Sequence, residues 1–438
     1  MPRLSEQEAR DLLGRVLALS RADACEANLN GNARGNIRYA RNTVTTAGKS
    51  ENMTLAVRSN YGQRSGTATA NEFDDENLER VVRRSEELAK LAPEDEEFMA
   101  PLGPQKYLPS RTWYRATANI SADDRAQAAA SSIERSMARD CVAAGFLNDA
   151  AGFAAMANTN GLFAYNPSTS VSFSLTARTA DAQGSGYVRR DLNDVSKLDT
   201  DAASDIAIEK AVASHDARAI EPGRYTVILE PEASVGLIRN MMFNLSARSA
   251  DEGRSFMAKP GGGTRVGEQL LDERISITSD PGNTEVPVSP WLNDGRPRER
   301  TAWIENGVVK NLYYSRFWAQ KHGVHPLPAP GNFIMAGGDA SLDDLIRGTR
   351  RGVLLTRTWY IRTVDPQTLL YTGLTRDGTF FIENGRIKHA VKNFRFNESP
   401  VTMLNNLDEL GRPERSRGYL IPPMRVRDFT FTSLSDAV

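Results

Sequence analysis

The chain of 438 residues has only two cysteines and four histidines. Cys25 and Cys141 stand too far apart in sequence for a thiolate zinc motif, and a single disulfide would be a weak mark of secretion in a chain of this size. The histidines, His215, His322, His325 and His389, are followed by Asp216, Gly323, Pro326 and Ala390. No His-Glu pair therefore exists from which a peptidase helix could bind zinc and activate its water. His322 and His325 are near enough to share an ion, but no Cys, Asp or Glu beside them completes a shell. A surplus charge is also missing: 54 Lys and Arg stand against 55 Asp and Glu, and no segment concentrates the bases. This argues against nucleic acid as a partner, since phosphate binding needs a basic face. No run approaches the roughly 18 apolar residues that a membrane-spanning helix requires, so no membrane partner is expected. The acidic, polar opening MPRLSEQEAR is unlike a signal peptide and leads to an expected cytoplasmic location.

Phosphate and hydrolase motifs are absent as well. Lys259 to Arg265 (KPGGGTR) lacks the Gly-Lys-Ser/Thr ending of a P-loop, and neither Gly-x-Ser-x-Gly nor Ser-x-x-Lys occurs. Asp343 and Asp344 follow Ser341 in the first turn of a helix, where capping explains them better than acid-base chemistry.

What is present is an ordinary globular composition, 40% hydrophobic and 25% charged, over a length that suits roughly two to three domains. Ser5-x-x-Glu8 predicts a capped helix with Ala9, Leu12, Leu13, Val16 and Leu17 inward. Cys25, Ala27 and Leu29, and then Met53, Leu55 and Val57, alternate with polar residues as half-buried strands do. Asp74 to Glu76 open a second helix. Ser121-x-x-Asp124 opens a third, whose apolar face is read as Ala126, Ala130, Ile133, Met137, Cys141 and Ala144 with Gly145 ending it. Strands with an Asn160-Gly161 turn follow from Phe146 to Ala180, and a helix is predicted over about Thr200 to Ser214. The break at Glu221-Pro222-Gly223 places a domain boundary between residues 1–220 and 221–438. Beyond it come the strand Tyr225 to Leu229, two Asn-Gly hairpins (Trp303 to Lys310 and Phe381 to Lys388) and a short helix from Ser341 to near Gly352. The fold class is therefore α+β: an N-terminal antiparallel sheet packed with helices, then a β-rich C-terminal domain.

Five segments in order carry a resemblance: YTVILEP at 225–231, GRSFM at 253–257, WLNDGRPRERTAWIENGVVKNLYYSRFWAQKHG at 291–323, GGDASLDDLIRGTRRGVLL at 337–355 and FIENGRIKHAV at 381–391. With a looser match through Val57-Arg58, Gly62 and Gly66-Thr67-Ala68, the chain resembles the TldD/PmbA (TldD/TldE) family of two-subunit cytosolic metallopeptidases. Catalytic members of that family carry His-Glu-x-x-x-His on the helix after the YTVILEP-like strand and a cysteine ligand near the C-terminus. Laid on this chain without gaps, the motif positions are Arg239, Asn240 and Asn244, and Arg415 to Asp428 contains no cysteine. A guanidinium offers no lone pair to a metal and a carboxamide is no base.

The resemblance thus implies a TldE/PmbA-like chain without catalytic or metal residues of its own. Arg239, Asn240 and Asn244 become candidate cleft-lining positions, zinc is expected only in a TldD-like partner, and the ligand is an extended or unfolded peptide. The alternative is a metal-free homodimer that binds peptide or acts as a scaffold. Two departures stand out: Leu369-Leu370 where relatives often have Gly-Asp, and the segment from His322 to Pro330.

Overall fold

The computed structural model describes residues 4–435. Ser5 accepts the Glu8 N–H while the Glu8 carboxylate accepts the Ser5 N–H at 2.7 Å, and this capping box starts α1 (Glu6–Leu19). There follow β1 (Ala24–Ala40), β2 (Thr43–Tyr61), β3 (Arg64–Ala70), α2 (Asp75–Leu91), α3 (Arg115–Ala118), α4 (Ala122–Met137), β4 (Cys141–Asn158), β5 (Phe163–Thr179), β6 (Ser185–Leu192) and α5 (Thr200–Ala213). The six strands form one antiparallel sheet in the order β3-β2-β1-β4-β5-β6.

Strand β1 is 17 residues long, about 55 Å at roughly 3.3 Å per residue, so one helix pair cannot cover its inner face. Two pairs do so in tandem. Helices α1 and α2 lie over the end that carries Cys25, Ala27, Leu29, Phe153 and Ala155. Helices α4 and α5 lie over the other end, with Ile37, Tyr39, Cys141, Ala143 and Leu147. All of these strand residues are odd-numbered, as a period of two requires for one face.

The sequence reading misplaced α4. The helix ends at Met137, and Cys141 opens β4, with Gly145 inside that strand. Its buried face is Arg125, Ala129, Ser132 and Ser136, whereas Ala126 and Ala130 are exposed and Met137 is 58% exposed. The face is polar because its groups find partners: Arg125 Nη1 donates to Asp149 Oδ1 at 2.7 Å and the Ser132 and Ser204 hydroxyls lie 2.8 Å apart. Hydrophobic periodicity points to the wrong side of a helix whose inward polar groups are all paired.

The C-terminal half begins with β7 (Arg224–Leu229), α6 (Pro231–Phe243), α7 (Ala247–Asp251), β8 (Ile277–Ser279), β9 (Thr301–Glu305), β10 (Val308–Val309), α8 (Arg316–His322), β11 (Ile334–Met335), α9 (Leu342–Arg347) and β12 (Arg351–Leu355). It continues with β13 (Thr358–Asp365), β14 (Leu370–Thr375), β15 (Thr379–Glu383), β16 (Arg386–Ala390), β17 (Phe394–Glu398), α10 (Pro400–Asn405), β18 (Leu407–Leu410), β19 (Glu414–Ser416), β20 (Tyr419–Ile421) and β21 (Met424–Leu434). One sheet runs β13-β14-β17-β21-β7-β12-β15-β16 with β18 also on β21, and a second runs β10-β9-β8-β11-β20-β19. The fold is α+β, as the sequence implied.

Both Asn-Gly pairs turn as expected, with φ of 47° and 78° at Asn306-Gly307 and 51° and 74° at Asn384-Gly385. Helix α9 stops at Arg347, short of Gly352, which instead belongs to β12. Leu369 sits at φ 51°; its side chain is fully buried in the core, which offsets the left-handed backbone. The halves meet on the sheet face away from the helices, where Met156, Leu162 and Ala164 pack on Trp291.

Candidate functional site

Strand β7 lies in the middle of its sheet, antiparallel to β21 and parallel to β12, with Val227, Ile228 and Leu229 fully buried. The chain leaves it through Glu230 and enters α6 at Pro231, whose fixed φ and missing N–H suit a first helical position. Along α6, Val235, Leu237, Ile238, Met241 and Met242 point into the core. The outward positions are Glu232, Gly236, Arg239, Asn240 and Phe243, spaced as one helical stripe.

Helix α6 ends at Phe243, and Asn244 caps it, its side-chain amide donating to the Asn240 carbonyl at 2.8 Å and lying 3.5 Å from the Tyr371 hydroxyl. Arg239 is exposed and Asn240 half-buried. Arg239 stands near Tyr419 in the β19–β20 hairpin: burial pushes the Tyr419 phenol pKa up, and the Arg239 charge opposes that rise. At the other end of the stripe, Glu232 accepts from Arg417 Nε and from the Ser416 hydroxyl, each at 3.0 Å. Strand β13 borders the opposite side, where the Thr358 hydroxyl donates to the Ala233 carbonyl at 2.6 Å.

These residues do not fit a zinc ion. Arg239 brings a permanent positive charge, Asn240 and Asn244 bring weakly basic carboxamides, and Glu232 is engaged by Arg417. Among the described residues, no group of three or more His, Cys, Asp or Glu side chains is placed to hold a metal ion. His322 and His325 do not share a partner either: His322 Nε2 is 3.8 Å from Asp251 and His325 Nε2 is 2.6 Å from Glu299. Their segment is braced from behind, Arg296 donating to the Pro326 carbonyl at 2.9 Å and Arg298 to that of Ala329 at 2.9 Å. Cys25 and Cys141 are buried, and burial raises the pKa of both thiols, so neither is an activated nucleophile.

The sequence reading missed a cavity of about 630 Å³ beyond α6, between the helix-free face of the N-terminal sheet and the start of β13. Arg41, Arg178, Arg357 and Arg376 line it with one carboxylate, Asp377. No local motif announces it, because its walls come from five separate strands and turns. Among the described residues, no helix is long and apolar enough to cross a membrane.

Three family models match the chain in order: PmbA/TldA metallopeptidase domain 1 over residues 25–89, the central domain over 117–214 and the C-terminal domain over 222–433. A metalloprotease of Methanothermobacter thermautotrophicus is 27% identical over 218 residues, 46% of this chain and 46% of the relative. One from Archaeoglobus fulgidus is 26% identical over 159 residues, 34% of this chain and 37% of the relative. The chain thus spans less than half the length of either metalloprotease. Among solved structures, a Thermotoga maritima protein described as a proposed modulator of DNA gyrase superposes with a TM-score of 0.86 at 18% identity, covering 97% of this chain and all of that one. TldE from Thermococcus kodakarensis gives a TM-score of 0.83 at 16% identity, covering 98% and 99%. These superpositions show a common fold. With all three domain models matched in chain order, from residue 25 to residue 433, the chain belongs to the PmbA/TldD metallopeptidase family.

Proposed function

We propose that this chain is the zinc-free, TldE-like subunit of a TldD/TldE-type peptidase complex, holding an extended peptide while a TldD-like partner supplies the zinc and the cleavage. The observation that carries this reading is the chemistry of α6. The helix presents Arg239, Asn240 and Phe243 outward from the strand-helix unit on which the family's catalytic members bear their zinc motif. Those groups can donate hydrogen bonds and offer an aromatic surface, but they cannot activate water. Strand β13, at the end of its sheet, runs beside that helix with Trp359, Tyr360 and Val364 exposed. Its outer edge, with no strand beside it among the described residues, suits backbone pairing with an extended peptide.

The test is affinity capture of the natively expressed full-length chain, with zinc analysis and a peptide-cleavage assay on the eluate. A co-eluting zinc-bearing chain with chelator-sensitive cleavage is the expected outcome. Zinc and cleavage found with this chain alone would sink the proposal.

One observation favours the alternative of a metal-free homodimer. Strand β3 covers only Leu55 to Tyr61 of β2, so residues 43–54 present an outer edge with no strand beside it among the described residues. Lys49 and Glu51 flank Ser50 on that edge, 2.8 Å apart. Two copies paired antiparallel about Ser50 would set each Lys49 against the other copy's Glu51.

A further inference from the structure

The helix-bearing face of the N-terminal sheet is left open at one place along its two central strands. In β1 the odd-numbered residues from Cys25 to Tyr39 are buried with the exception of Ala33, and in β4 those from Cys141 to Ala157 are buried with the exception of Ala151. These two alanines stand directly opposite each other in the ladder. They mark the seam between the helix pairs α1–α2 and α4–α5, where a cavity of about 720 Å³ lies, a volume suited to a small ligand. A seam that only had to be packed would be filled from its floor, as Leu29, Leu147 and Phe153 fill the sheet face nearby. Alanine at both positions keeps the space open.

The walls give that space a definite chemistry. Ile37, Ala47 and Ile120 add apolar surface to the alanine floor. Arg125 on α4, 6% exposed, also lines the cavity, its guanidinium resting on Gly35, where a Cβ would collide with it. Arg125 Nη1 donates to Asp149 at 2.7 Å and to the Ile120 carbonyl at 3.4 Å, whereas neither Nη2 nor Nε makes a hydrogen bond among the described residues. Ala122, the first residue of α4, borders the same space, and the first N–H groups of a helix have no partner inside it. Donors are thus in excess while charge is balanced: Asp149 neutralises Arg125, and Lys49 lies 2.8 Å from Glu51. An anion would be repelled by Asp149 and a cation by Arg125. A neutral carbonyl oxygen can accept from the guanidinium without either cost.

We propose that this cavity is a binding site for a small uncharged molecule with an apolar body and a carbonyl oxygen, of the class of a blocked apolar amino acid amide, whose carbonyl accepts from Arg125. The site goes beyond the peptidase reading and does not rest on it, because it lies on the helix-covered face of the sheet, opposite the face that packs on the C-terminal half.

The test is calorimetric titration of the full-length chain at neutral pH with three probes: N-acetyl-leucinamide, which is neutral, N-acetyl-leucine, an anion, and leucinamide, a cation. The neutral probe is expected to bind at least tenfold more tightly than either charged one. Ala151→Leu fills the cavity from its floor and should abolish that binding while the thermal unfolding midpoint is held or raised; Ala33→Leu, from the opposing strand, keeps the test available if the first variant fails to fold. Arg125→Lys, which keeps the charge against Asp149 and removes the second N–H edge, should weaken the neutral probe about tenfold, the scale of one hydrogen bond to a charged group. Equal binding of neutral and anionic probes would overturn the uncharged class, and unchanged affinity in Arg125→Lys would overturn the carbonyl contact. Binding that survives both alanine variants, or no saturable binding of the neutral probe, would overturn the site itself.

Discussion

At the scale of single residues, buried charge is what most separates this chain from a purely apolar design. Arg125 and Asp149 pair at 2.7 Å with side chains 7% and 11% exposed, and burial raises the Asp149 pKa despite the neighbouring cation. Gly35 makes room for the pair, since a Cβ there would lie 2.1 Å from Arg125 Nη1. Arg125→Met should therefore cost about 3–5 kcal/mol in urea unfolding by leaving a buried carboxylate unpaired, while the double variant with Asp149→Met should recover most of that. His215 shows the opposite, exposed case. Its ring nitrogens lie 2.8 Å from Asp181 and 2.9 Å from Asp216, and these bonds, Asp181's first, raise its pKa above the ordinary 6.5 while the Asp181 carboxyl is held down to about 2. A raised folded-state pKa gives stability that is complete below the unfolded value and fades as pH rises through the folded one. In an NMR titration His215 should accordingly turn over above pH 6.5, and Asp181→Asn should bring its midpoint down.

At the scale of elements, the hairpins were legible because a type I′ turn is a local event that Asn-Gly satisfies without help from elsewhere. What the glycine then touches is not local. A Cβ at Gly307, at φ 78°, would meet the Leu271 carbonyl at 2.1 Å, whereas Gly62, at φ 56°, has nothing within 4 Å. Gly62→Ala should cost only the backbone term, about 1 kcal/mol, and Gly307→Ala about 3 kcal/mol or more, by thermal or urea unfolding of each variant. Helix α4 illustrates the limit of periodicity. Its alanines lie on several faces, and only the pairing of Arg125 with Asp149 and of Ser132 with Ser204 selects the inward one. In α6 the helix end at Phe243, and with it the capping place of Asn244, depends on the turn into α7.

At the scale of the whole molecule, the long N-terminal sheet has two consequences. It carries helices on one face and the C-terminal half on the other, and it leaves the outer edge of β2 at residues 43–54 without a strand beside it among the described residues. If two copies pair through that edge, Lys49→Glu should dissociate them in sedimentation, and adding Glu51→Lys should restore the pair by exchanging the charges. Unchanged association in the single variant would remove the edge from consideration and leave the heteromeric assembly as the stronger reading.

The sequence by itself determined the features that near neighbours decide: capped helix starts, alternating strands and Asn-Gly turns. Tertiary structure alone decided which polar groups are inward and which charges accumulate. Arg178 and Arg376 stand nearly two hundred positions apart in the chain yet face one cavity. The physical reason is that a side chain's electrostatic environment is set by whatever the fold packs beside it, and period, propensity and capping carry no record of contacts across such distances.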